Sequence, residues 1–197
     1  NSGLGFPRTY FYRVQASNVV GSVWTPSSIS FVPQAGNSGF TPQDFSGLKL
    51  WLDASDLNGS GYTLALSSGE SIDSVTDKSG LGNHAIQLTE VARPSFVYGA
   101  LNGLPNIRFD GSNDYLEFAK IDTIRTVLMV VNRNAGNQGF LLGDNDATHF
   151  HSGNNVMWSN TWTHPGILDG LTQINGNTRD GLLTDFNYDL PTLISIK

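Results

Sequence analysis

The segment Met157-Trp158-Ser159-Asn160-Thr161-Trp162-Thr163-His164-Pro165 sets two indoles, an amide and an imidazole within a few residues of one another. Indole rings stack on the apolar faces of sugars, while amide and imidazole groups supply directed hydrogen bonds. Trp158, Asn160, Trp162 and His164 are therefore the candidate ligand contacts. Packing of one or both tryptophans against a core is the structural alternative.

A second chemistry is that of a hard cation. Fourteen aspartates stand against three glutamates, most of them among Gly, Asn and Ser. Calcium takes six to eight oxygen ligands from flexible loops that mix carboxylates, amides and carbonyls. Asp77, Asn83, Asp110, Asp144 and Asp146 are the candidate ligands, with Asp53, Asp56, Asn113 and Asp114 nearby in sequence. The same residue types form Asx turns and caps with no metal present, so both readings stand at this point. His149 and His151 lie two apart on an expected strand and would share a face. Without a third ligand close in sequence, a polar strand face explains them as well as zinc does. Glycoside hydrolysis needs paired carboxylates, yet Glu70, Glu90 and Glu117 are isolated. No Gly-x-Ser-x-Gly elbow occurs either. The sequence thus predicts a chain that is not an enzyme.

Bulk properties narrow the partners. Charged residues make up 14% of the chain and the net charge is −6. The eleven basic residues are scattered rather than clustered as a phosphate-binding surface requires, so nucleic acid is not an expected partner. Cysteine is absent, which removes disulfides, thiolate metal sites and cysteine nucleophiles. No apolar run approaches the length of a membrane helix, and no membrane insertion is expected. Asn58-Gly59-Ser60 matches the N-glycosylation acceptor pattern, a short motif that also arises by chance.

These residues must be carried by β-structure. Residues 10–16 largely alternate, 17–22 read as a turn, 27–32 alternate again, and Pro33 closes the run. Residues 34–45 are rich in Gly, Pro and polar side chains and read as a linker. Strand-like runs then recur at 48–53, 71–75, 85–88, 96–98, 106–109, 115–118, 126–132, 139–142, 148–151, 171–175 and 192–196. Between them lie turn signals such as Asp-Lys-Ser-Gly, Asp-Gly-Ser-Asn and Ile-Asn-Gly. Many short strands at this spacing predict an all-β, two-sheet antiparallel sandwich. Leu50, Leu52, Ile107, Phe109, Leu128 and Val130 are expected to point inward, and Phe109, Tyr115 and Phe118 to anchor the 110–114 turn. A single turn of helix is expected near Ile121.

Two resemblances follow from particular residues. Tyr10-x-Tyr12-x-Val14-x-Ala16-x-Asn18, then Gly21 and a second strand, resembles the last hairpin of a fibronectin type III domain. Leu4 and Pro7 precede it, and Tyr10 stands at that family's tyrosine-corner position. The second resemblance rests on Leu50-Trp51-Leu52-Asp53-Ala54-Ser55-Asp56, Asp77-Lys78-Ser79-Gly80-Leu81-Gly82-Asn83-His84-Ala85, and the run from Leu101 to Leu116 that includes Asp110-Gly111-Ser112-Asn113-Asp114. Phe140-Leu141-Leu142-Gly143-Asp144 and Phe150-His151-Ser152-Gly153 extend it. In order and spacing these resemble the bacterial laminin G-like, concanavalin A-like lectin/glucanase modules. That resemblance implies a jelly roll over 46–197, incomplete at its C-terminal end and preceded by a fibronectin type III remnant at 1–33 and a linker at 34–45. The Glu-x-Asp-x-Glu strand motif of the fold's glucanases does not occur.

The expectation is a secreted or cell-surface module of a bacterial protein, binding carbohydrate or a surface protein, with calcium as its one candidate cofactor. A structural spacer, or an accessory domain of a secreted polysaccharide-degrading enzyme, is the alternative.

Overall fold

The computed structural model describes residues 10–12, 15–18, 21–24, 29–31, 41–61, 66–101, 103–133, 139–143, 149–153, 155–185 and 191–197. By its contacts the chain divides into two units, Asn1–Leu48 and Lys49–Lys197. Among the described residues, regular structure is mostly β-strand in small antiparallel sheets. No helix among them is long and apolar enough to cross a membrane.

In the first unit, β1 (Tyr10–Tyr12) pairs with β4 (Ile29–Phe31), and β2 (Gln15–Asn18) pairs with β3 (Gly21–Trp24). Asn18 faces Gly21, so Ser17 and Ser22 lie opposite each other in the ladder rather than in a turn. Leu4, Pro7 and the side chain of Tyr10 lie outside the described residues.

Among the described residues, the second unit holds two hydrophobic clusters. The first joins Leu57, Ile72, Val75, Ala85 and Phe96, with Leu52, Ile107, Leu116 and Phe118 packed against them. It lies on β5 (Ser74–Val75) and β6 (Ala85–Ile86), then β7 (Ser95–Leu101) and β8 (Leu104–Arg108), which form two antiparallel pairs. Several expectations give way here. Residues 48–53 form no strand, because the amide of Trp51 bonds the Asp77 side chain and its carbonyl accepts from the Lys78 amide. Residues 115–118 make only an isolated bridge, Glu117 to Ile86. Phe109 and Tyr115 are exposed, and of the three expected anchors only Phe118 joins the cluster. Near Ile121 there is a turn at residues 122–123 and no helix.

The second cluster is built by two separate sheets. One has the order β13 (Asn177–Thr178), β12 (Thr172–Ile174), β14 (Thr192–Ile196), β9 (Val127–Val131). The other pairs β10 (Gly139–Leu142) with β11 (Phe150–Ser152). Val127, Met129, Val131, Ile174, Ile194 and Ile196 from the first sheet meet Leu141 and Phe150 from the second around Met157, Trp158 and Ile167. Ile167 sits in α1 (Pro165–Leu168). Leu128 and Val130 point the other way, 54% and 58% exposed, which reverses the expected face of β9. Val127-Leu128-Met129-Val130-Val131 is apolar throughout, so alternation assigns no phase, and a one-residue shift turns every side chain over.

Gly181 closes this core. A Cβ there would lie 1.9 Å from Trp158 Cδ1 and 2.6 Å from Nε1. Gly181→Ala should therefore destabilise the protein by about 1–3 kcal/mol, the usual cost of overpacking. Gly139→Ala, whose Cβ would meet nothing within 4 Å, should stay within about 1 kcal/mol. Equal denaturation midpoints for the two variants would refute this packing.

Candidate functional site

The second sheet carries an aromatic patch on the face turned away from the core. Phe140 and His151 are register partners on β10 and β11. Their rings meet edge to face with centroids 4.6 Å apart. Alternation explains the arrangement: Leu141 and Phe150 enter the core, so Phe140 and His151 face outward. Phe140 is 62% exposed, while His151 is buried beneath its neighbours. Trp162, 48% exposed, also meets the His151 ring, at 6.4 Å between centroids. Beside them the rings of His149 and His164 stack at 5.4 Å, with planes 10° apart.

Buried hydroxyl groups hold the loop that brings Trp162 over the sheet. The Ser159 amide and the Thr163 hydroxyl both donate to the His151 carbonyl, at 2.9 and 2.6 Å. The Ser159 hydroxyl accepts from the amides of Thr161 and Trp162, at 3.3 and 3.1 Å. The His164 amide donates to the His149 carbonyl. The His164 side chain caps α1, its Nδ1 accepting from the Gly166 amide at 3.0 Å, so Nε2 carries the proton and is a donor. His151 Nδ1 lies 2.9 Å from the Ser152 carbonyl, which only accepts, so Nδ1 carries a proton and donates.

Of the four expected contacts, Asn160, Trp162 and His164 are exposed on this loop. Trp158 is not part of it. It is 1% exposed, lies inside the second cluster and donates from Nε1 to the Thr172 hydroxyl at 3.0 Å. Its four-residue separation from Trp162 spans the step from core to surface. His149 precedes β11 and stacks on His164, so it does not share a strand face with His151. Phe140 was not among the expected contacts. Its signal was available in the sequence, because in residues 139–142 a strand that buries Leu141 must expose Phe140.

The aspartate loops are organised by hydrogen bonds. The Asp77 carboxylate accepts from the amides of Trp51 (2.9 Å), Ser79 (2.9 Å) and Asn83 (3.0 Å), and from the Ser79 hydroxyl (2.7 Å). These four donors match the roughly four lone-pair sites of a carboxylate. Burial pushes the Asp77 pKa up, but these donors outweigh it and hold the group below the usual carboxylate range. Asn83 extends the loop by donating from Nδ2 to the Lys49 carbonyl. Asp110 accepts from the amides of Ser112 and Asn113, an Asx turn, and these bonds lower its pKa. Asp144 and Asp146 lie outside the described residues. Asp53 and Asp56 share one cation already, since Lys78 Nζ lies 2.9 Å from each and 4.3 Å from the centre of the Trp51 ring. Its hydrogen bond to Asp56 is the main cause of that carboxyl's lowered pKa. Burial pulls the Lys78 pKa down, but the two carboxylates raise it overall. Among the described residues no three or more His, Asp or Glu side chains gather as a metal site.

No protein-family model matches this chain, and no curated protein or solved structure matches it.

Proposed function

We propose that this chain is a non-catalytic carbohydrate-binding module of a secreted or cell-surface protein, and that its ligand lies across Phe140 and Trp162. One observation carries the reading: the exposed rings of Phe140, on β10, and of Trp162, on a loop pinned by buried hydroxyl groups, both meet the buried His151 ring. Exposed aromatic rings cost solvation energy that a sugar's apolar face recovers, and preorganisation limits the entropy lost on binding. Asn160 and the His164 Nε2–H lie on the same loop for hydroxyl groups of the ligand. Phe140, His149, His151, Asn160, Trp162 and His164 include no carboxylate, lysine or arginine, which favours a neutral glycan.

In the same reading, the second unit is a jelly roll of the laminin G-like, concanavalin A-like kind, and the hairpin of the first unit is the end of a fibronectin type III domain. Two sheets sharing the cluster around Trp158 support the first part. Nested antiparallel pairing supports the second. Calcium at Asp77 is not required by it, because that carboxylate is saturated by protein donors.

Glycan-array screening followed by calorimetry tests the site. Trp162→Ala and Phe140→Ala should each weaken binding about tenfold or more, the equivalent of about 1.4 kcal/mol. Both rings lie at the surface outside the core clusters, so each variant should unfold within about 0.5 kcal/mol of the parent. A blank array for the parent chain would favour a spacer role. Undiminished binding by both variants would move the ligand elsewhere.

A further inference from the structure

The chain has one Asn-x-Ser/Thr sequence, Asn58-Gly59-Ser60, and the binding site above makes no use of it. Asn58, Gly59, Ser60 and Gly61 are all exposed. The loop is nevertheless well fixed. The Gly59 amide donates to the Asp56 carbonyl at 3.2 Å, and the Gly61 amide donates to both Asp56 carboxylate oxygens at 3.1 Å. Asp56 itself is buried and paired with Lys78. Only glycine suits the middle position: its φ is +69°, and a Cβ would fall 2.8 Å from Thr76 Cγ2.

The Asn58 side chain forms an Asx turn, its Oδ1 accepting from the Ser60 amide at 3.1 Å. That bond occupies the carboxamide oxygen and leaves Nδ2, which has no hydrogen-bond partner among the described residues, accessible at the surface. The turn also brings the serine of the motif back towards the asparagine. A surface loop is where an acceptor of this type is expected in a secreted protein.

We propose that Asn58 is an N-glycan attachment site, taking an oligosaccharide from a lipid-pyrophosphate donor. The step rests on the extracellular placement given above. A bond forms between Asn58 Nδ2 and the anomeric carbon of the sugar. The bond from that carbon to the pyrophosphate oxygen breaks, and the lipid pyrophosphate leaves with the electron pair. One Nδ2 proton passes to a base of the transferase, and nothing is oxidised or reduced.

The test is export of the full 197-residue chain from an N-glycosylating host, behind a supplied leader, with intact-mass and peptide mass spectrometry. One glycan at Asn58 is expected on most molecules, absent from Asn58→Gln and Ser60→Ala and retained in Ser60→Thr. The modified protein should melt with the unmodified one, because the whole motif is exposed. Exported, cooperatively folded protein with Asn58 bare would overturn the proposal, as would a glycan that survives in Asn58→Gln. Glycan-array binding by the same sample reports separately on the Phe140–Trp162 site, so either idea can fail alone.

Discussion

Trp158→Ala should lower the free energy of unfolding by about 3–5 kcal/mol, the range for truncating a buried large aromatic. The ring is enclosed by Met157, Ile167, Ile194 and Ile196, meets Phe150 at 6.1 Å and has Gly181 against its edge. Truncation would leave a cavity between two sheets and leave the Thr172 hydroxyl without its donor. Trp158→Phe should recover most of the packing but still lose that hydrogen bond, at a net cost of about 1 kcal/mol or more. Urea denaturation with an unchanged m-value would measure both. The two tryptophans thus have opposite signatures: Trp158→Ala loses stability, whereas Trp162→Ala loses ligand. A Trp158→Ala protein as stable as the parent but unable to bind glycan would show that the core and the site have been assigned the wrong way round.

Asp77→Ala should cost about 3 kcal/mol or more, because three backbone amides and one hydroxyl lose their acceptor together. Those amides belong to Trp51, Ser79 and Asn83, so the carboxylate joins the 49–53 segment to the 77–85 loop. Asp77→Asn keeps one acceptor oxygen but turns an NH₂ towards donors, and it should fall between the parent and the alanine variant. The lowered pKa of Asp77 sets the direction of the pH dependence. A carboxyl whose folded pKa lies below its unfolded value contributes stability above the unfolded pKa, about 3.9. That contribution is lost as pH falls through the folded value. The parent should therefore hold its denaturation midpoint near neutrality and lose it below about pH 4. Asp77→Ala should start lower and fall less steeply over the same interval. Because the carboxylate is saturated, any shift of the parent with added calcium should persist in Asp77→Ala rather than depend on Asp77. A calcium shift abolished by Asp77→Ala, or an acid slope unchanged by the substitution, would contradict this account of the loop.

Some of this was legible in the chain. Residues 139–142 and 192–196 are strands where alternation and turn spacing put them. Asn175-Gly176 turns with both residues at positive φ, as a tight hairpin of that composition demands. Other features depended on partners that local pattern does not encode. Residues 48–53 look like a strand because Leu48, Leu50 and Leu52 alternate, yet their polar backbone finds a side-chain carboxylate 26 residues away instead of a neighbouring strand. Phe109 lies one residue past the end of β8, outside the ladder that would have turned it inward.

By itself the sequence determined the kind of structure and the chemistry on offer: short strands, Asx-rich turns, no cysteine, and two tryptophans and three histidines gathered within residues 149–164. Turn propensity and period-two burial act over a few residues, so they can be read one segment at a time. Tertiary structure alone decided which tryptophan is core and which is surface, which face of the wholly apolar β9 is buried, and that Phe140 joins Trp162. Each depends on which residues distant in sequence come into contact. In a sheet, a one-residue change of register exchanges the buried face for the exposed one.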